Sequence, residues 1–188
     1  MEPLRVLGVA GSLRAGSFNK RALAAARELQ PDGLSIEPFE QLGAIPLYDE
    51  DVKTRGFPPA AAEFRAAIAS VDALLFVTPE YNFSIPGVLK NAIDWASRPP
   101  DTPLIGKPAA IMGASTGLVG TVRAQIHLRA ILSGLNMPVL NRPEVFIREA
   151  AAKFDGEGRL VHEDTRKHIA TLLERLRDWT LLLKAGRR

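Results

Sequence analysis

The chain has 188 residues, 46% of them hydrophobic, with 24 Lys and Arg against 21 Asp and Glu for a net charge of +3. That is enough for one domain spanning residues 1–188 with a full core, and the even spread of charge excludes nucleic acid as an expected partner. Cysteine is absent, which excludes disulfides, thiolate metal sites and CxxC redox chemistry, while the lack of a long apolar run makes the membrane an unexpected partner and the cytoplasm the expected location.

Strand and helix patterns alternate along the chain. The first strand is the continuous apolar run Val6-Leu7-Gly8-Val9-Ala10, which suits a parallel sheet covered on both faces. Residues 19–29 follow as a helix with Ala22, Leu23, Ala26 and Leu29 on one face, ended by Pro31-Asp32-Gly33. A second strand is predicted over 34–39, then a long surface loop over 40–59, a helix over 60–70 and a buried strand over 73–78. The clearest helix is the next one, with Ile85, Val88, Leu89, Ala92, Ile93 and Ala96 at helical spacing and Pro86 in its first turn.

A strand over 109–114 leads to a helix ending at Gly134 or Leu135. The last strand is split between 138–140 and 144–147 by Arg142-Pro143. The final helix covers 164–184, and residues 185–188 are expected to fray. Five strands alternating with five helices point to a doubly wound α/β sheet of flavodoxin type, in the order 2-1-3-4-5.

Three loops then fall at the carboxyl edge of that sheet, where open α/β sheets bind ligands. The first, residues 11–19, has the Gly11 and Gly16 spacing of a P-loop, but Ser17 and Phe18 stand where Lys and Ser or Thr belong; the GxGxxG dinucleotide fingerprint is also absent. What remains is Ser12, Arg14, Ser17 and Asn19 around a helix amino terminus, a setting for a terminal phosphate. The alternative is an ordinary Ser-capped turn with an exposed Arg. The second loop, residues 78–87, is stiffened by Pro79 and Pro86, so that the amides of Glu80, Tyr81 and Asn82 can read the pyrimidine edge of a flavin. No second carboxylate or His accompanies Glu80, so its backbone rather than its carboxyl is taken as the useful part. The third loop, Ser115-Thr116-Gly117 onward, lets backbone approach a flat ring and offers N–H groups to the charge that develops at flavin N1. His127, His162 and His168 lack metal spacing, and Trp95 and Trp179 read as packing or subunit contacts.

These motifs resemble the NAD(P)H-dependent FMN reductase family, and within it the bacterial quinone and chromate reductases. The resemblance is carried by Gly11-Ser12-Leu13-Arg14 with Ser17 and Asn19, by Pro79-Glu80-Tyr81-Asn82 with Ser84 and Pro86-Gly87, by Leu89-Lys90-Asn91-Ala92-Ile93-Asp94-Trp95, and by the 113–120 loop leading into Arg123 and Gln125. Ile45-Pro46-Leu47-Tyr48-Asp49 and Arg142-Pro143-Glu144 extend it over nearly the whole chain. It implies that Ser12, Arg14, Ser17 and Asn19, with Phe18 in the same loop, hold the phosphate of FMN. Pro79, Glu80, Tyr81 and Asn82 would line the ring, and Ser115, Thr116 and Gly117 would lie near its N1 and O2 edge. It further implies NADPH or NADH as co-substrate and a small-molecule electron acceptor: a quinone, an azo compound, free flavin or an oxidised metal ion such as chromate. The assembly it implies is a homodimer or homotetramer, with an Arg123–Glu144 ion pair bridging subunits. The rival reading is a flavodoxin-like FMN electron carrier that oxidises no pyridine nucleotide.

Overall fold

The computed structural model describes residues 2–186. Its centre is a five-stranded, wholly parallel sheet in the order β2-β1-β3-β4-β5, formed by β1 (Leu4–Ala10), β2 (Leu34–Pro38), β3 (Ala73–Val77), β4 (Ala109–Ala114) and β5 (Val145–Ile147). Every residue of β3 and β4 is buried, because helices cover both faces and neither face can tolerate a polar side chain. On one face, Leu23 and Ala26 of α1 (Phe18–Glu28) pack with Leu172, Leu173 and Leu176 of α6 (Glu163–Ala185). On the other, α3 (Pro59–Ala69), α4 (Gly87–Ala96) and α5 (Val122–Gly134) bring in Phe64, Ile68, Leu89, Trp95, Leu128 and Leu132. Since β1 lies between β2 and β3, the chain leaves β1 and β3 toward opposite faces, which opens a crevice at the carboxyl edge.

The structure refines the sequence reading in several places. The 40–59 stretch is not a featureless loop: it holds a 3₁₀ turn over Leu42–Ala44 and a sixth helix, α2 (Glu50–Thr54). Asp49 caps α2 by accepting from the N–H groups of Asp51 (2.8 Å) and Val52 (3.4 Å). This stretch is fastened to α4, where Asn91 Oδ1 accepts from Tyr48 N (2.7 Å) and both Asn91 Nδ2 (2.9 Å) and Trp95 Nε1 (2.8 Å) donate to the Pro46 carbonyl. Two motifs far apart in sequence are thus one packed unit, and fully buried Trp95 is a core residue rather than a subunit contact. The last strand is broken as expected, with Val139 bridging Ala109 ahead of β5 and a cis Arg142–Pro143 bond between. Of the residues expected to fray, Ala185 ends α6 and Gly186 caps it, while residues 187 and 188 lie outside those described.

Candidate active site

The first loop is built by its own helix. Ser17 sits in extended backbone before α1, and its Oγ accepts from Asn19 N (3.2 Å) and Lys20 N (3.4 Å), satisfying two of the donors that a helix start leaves open. The backbone N–H groups of Arg14, Ala15, Gly16 and Phe18 have no protein acceptor among the described residues. They border open space, since a Cβ on Gly16 would meet nothing within 4 Å. Arg14 is exposed beside them and pairs with no carboxylate among the described residues. Unspent N–H groups, a helix dipole and a free guanidinium make a donor set suited to a phosphate. Phe18 contributes its N–H, while its ring turns inward to pack on Phe154 at 5.4 Å between centroids.

Asn19 has a structural role that the sequence reading did not give it. Its side chain is buried, with Nδ2 donating to the Ala114 carbonyl (2.9 Å) and Oδ1 accepting from Ala114 N (2.9 Å). The amide is therefore a strut between the start of α1 and the end of β4. Ser12 is buried as well, and its hydroxyl lies 3.4 Å from the Tyr81 hydroxyl, joining the first loop to the second.

The second loop folds into a tight hairpin. Tyr81 N donates to Ser84 O (2.9 Å) and Ser84 N to Tyr81 O (3.0 Å), across Asn82 (φ 48°) and Phe83 (φ 67°). Two consecutive left-handed residues suit Asn and strain Phe, yet Phe83 stays 65% exposed. The Tyr81 amide is spent in this turn, so of the three expected backbone donors only those of Glu80 and Asn82 remain for a ligand. The Glu80 carboxylate is fully engaged: it accepts from Arg123 N (3.0 Å), Ala124 N (3.3 Å) and the Arg123 guanidinium (2.5 Å) at the start of α5.

The third loop is stapled to the end of β5 and the segment after it. Ser115 N donates to Ile147 O (3.0 Å), Ala150 N to Ser115 O (2.9 Å), and Glu149 N to Gly117 O (3.2 Å). Ser115 Oγ also accepts from Gly117 N (3.2 Å) and donates to Gly120 O (3.0 Å). The Ser115 and Gly117 amides are thereby consumed, which leaves the Thr116 N–H as the open donor of those three residues. Loops two and three come together because residue 113 is glycine; a Cβ there would collide with the Thr78 carbonyl and the Thr121 hydroxyl.

Within the chain, Arg123 and Glu144, expected as an ion pair between subunits, each have a partner of their own. Arg123 is taken by Glu80, and Glu144 accepts from Arg142 at 2.7 Å within the chain. His127, exposed on α5, bonds Ser84 Oγ through Nδ1 (3.0 Å), and no group of three metal-ligating His, Asp or Glu side chains occurs among the described residues.

With this geometry in view, comparison with known proteins is decisive. The model of the NADPH-dependent FMN reductase family matches residues 4–152. The chain belongs to that family. It is 54% identical over 183 residues to an NAD(P)H-dependent FMN reductase of Pseudomonas aeruginosa, covering 97% of this chain and 98% of the relative. A quinone reductase of Escherichia coli K12 is 41% identical over 170 residues, 89% of this chain and 90% of that one. Among solved structures, the flavoenzyme NAD(P)H:(acceptor) oxidoreductase FerB of Paracoccus denitrificans superposes with a TM-score of 0.86 at 32% identity, covering 94% of this chain and 97% of FerB. This FMN reductase family member is an oxidoreductase with a flavodoxin-like fold, and the donor set of its first loop together with the close-set second and third loops fits FMN. No helix among the described residues is long and apolar enough to cross a membrane.

Proposed function

We propose that residues 1–188 act as one FMN-binding unit that accepts electrons from NADPH or NADH and passes them to a small acceptor of the quinone class. Azo compounds, free flavin and oxidised metal ions such as chromate are further acceptors on this reading. The observation that carries it is the convergence of three loops on one sheet edge, with unspent phosphate donors in the first and two closely set walls in the others. When bound, FMN supplies hydride acceptance at N5 and onward electron delivery.

The protein's part is binding, orientation and electrostatics. Arg14 and the N–H groups of residues 14–16 and 18 hold the phosphate, with Ser17 keeping that helix start open and Ser12 beneath it. Pro79, Glu80, Tyr81 and Asn82 lie along the ring, and the Thr116 N–H, held by the Ser115 and Gly117 staples, meets negative charge developing at the ring edge. No side chain is needed as a general base, since the Glu80 carboxylate is already engaged by α5. The exposed apolar residues Phe83 (65%) and Leu118 (73%) beside the site support a homodimeric or homotetrameric assembly, which we place in the cytoplasm.

Anaerobic mixing of the FMN-loaded protein with NADPH or NADH tests the reading. Rapid bleaching of the flavin, reversed by adding benzoquinone, is expected. A protein that stays yellow with both nucleotides yet bleaches with dithionite is an electron carrier, and the proposal falls.

A further inference from the structure

Thr121 precedes α5 and contributes no side-chain cap to it. The cap comes instead from the second loop: Glu80 Oε2 accepts from the first-turn N–H groups of Arg123 and Ala124. A local Ser, Asp or Thr serves a helix start equally well for stability alone, so delivery from a distant loop does something more, which is to join two segments. Three further contacts lie on the same line. Glu80 Oε1 pairs with the Arg123 guanidinium, the Arg123 Cζ stands 3.9 Å from the centroid of the Phe83 ring, and one turn on His127 Nδ1 meets Ser84 Oγ at 3.0 Å. The first two turns of α5 therefore grip the hairpin at Glu80, Phe83 and Ser84. That same helix start is continuous with the third loop, which ends at Gly120 and Thr121.

The electrostatics favour this join. The Glu80 side chain is only 10% exposed and faces the positive end of α5 together with a guanidinium, an arrangement in which both charges are compensated. Without Arg123, the mostly buried carboxylate would keep its two backbone donors but lose its counter-charge; without Glu80, the guanidinium, 39% exposed, would lose its own.

We infer that Glu80 and Arg123 form a clasp that sets the spacing between the second and third loops, making Glu80 a positioning residue for the flavin ring. The inference rests on the reading that the ring lies between those loops. The pair is neutral as a unit, so breaking it on either side leaves charges of opposite sign next to the ring. A cation there favours the reduced, more negative flavin, and an anion disfavours it.

Two measurements test the clasp. In the first, apoprotein is titrated with FMN and with riboflavin. Glu80→Ala is expected to weaken both by the same factor, about tenfold, because a site that must be ordered on binding loses affinity for any ring. Arg14→Ala weakens FMN alone. In the second, the midpoint potential of the bound flavin is measured. Glu80→Gln, which keeps an acceptor for the two backbone N–H groups and so preserves the helix start, is expected to raise the potential. Arg123→Met is expected to lower it, and the double variant to return it toward the wild-type value. A merely structural role moves both single variants in the same direction. Unchanged riboflavin affinity in Glu80→Ala, or potential shifts of one sign in both single variants, overturns the clasp. Equal weakening of FMN and riboflavin by Arg14→Ala instead overturns the phosphate assignment, and the opposed potential shifts then uphold or overturn the clasp on their own.

Discussion

At the end of the crevice proposed for the phosphate, Ser17 caps the helix that begins at the very next residue, and its two bonds reach only two and three positions along the chain. At the end proposed for the ring, Glu80 caps a helix whose bonded amides lie 43 and 44 positions away, and the third loop hangs from Ile147 at the end of β5 and from Glu149 and Ala150 beyond it. The first end is a local structure that forms whenever β1 and α1 form. The second exists only when β3, β4, β5 and α5 are all in place. One crevice can thus have a preformed anchor and a wall assembled by tertiary contacts, and the two should respond differently to mutation.

The comparison breaks most severely at Asn19, the strut between the two ends. Asn19→Ala leaves the buried N–H and carbonyl of Ala114 without partners, at about 1–3 kcal/mol each. Unfolding in urea should show a loss of about that size, and binding of FMN and riboflavin should both suffer. A loss well under about 1 kcal/mol would show that the strut is dispensable.

Arg14→Ala sharpens the comparison from the local side. Removing one charge-assisted contact should cost FMN about 1.5–3 kcal/mol, roughly tenfold or more in Kd, with riboflavin unaffected. Calorimetric titration of both ligands distinguishes this from a general collapse of the site, which would weaken both.

The smallest effect lies behind the ring end. In the turn that follows the staple, Asp155 accepts from Arg159 Nε (2.8 Å) and from the backbone N–H groups of Arg159 (2.8 Å) and Glu157 (3.0 Å). The Arg159 side chain, and then these backbone donors, hold its carboxyl below the usual range. A depressed carboxylate pKa gives stability that is complete above the unfolded value, about 3.9, and is lost as pH falls through the lower folded value. Between pH 6 and pH 3 the melting temperature should therefore fall less in Asp155→Asn than in the parent chain. Identical slopes would sink this assignment.

The same contrast explains what could be read from sequence. The strands were legible because a parallel sheet covered on both faces demands uninterrupted apolar runs such as Ala73–Val77, and the strand order followed from the alternation of elements. Ser17 was legible because a cap and its helix are neighbours. The strut made by Asn19 was not legible, because an Asn beside a helix start gives no sign that its amide reaches the end of a strand 95 positions away. The Glu80 carboxyl left no sequence signal at all, since nothing periodic relates it to Arg123. In the 40–59 stretch the signal was present but outweighed: Asp49 followed by Glu50 and Asp51 is a helix start, within a segment whose prolines and glycines argue for loop.

The Asn19 amide also acts as a length standard. By bonding both backbone groups of Ala114, it fixes how far the amino end of α1 stands from the point where the chain leaves β4, with β1 and β3 lying between. That span is set by the protein's own hydrogen bonds. A molecule whose anionic tail and flat head are separated by this distance engages both anchors at once; one with a longer or shorter connection must give up one of them. On the proposed reading, flavins of different tail length are thereby told apart by an amide buried in the fold.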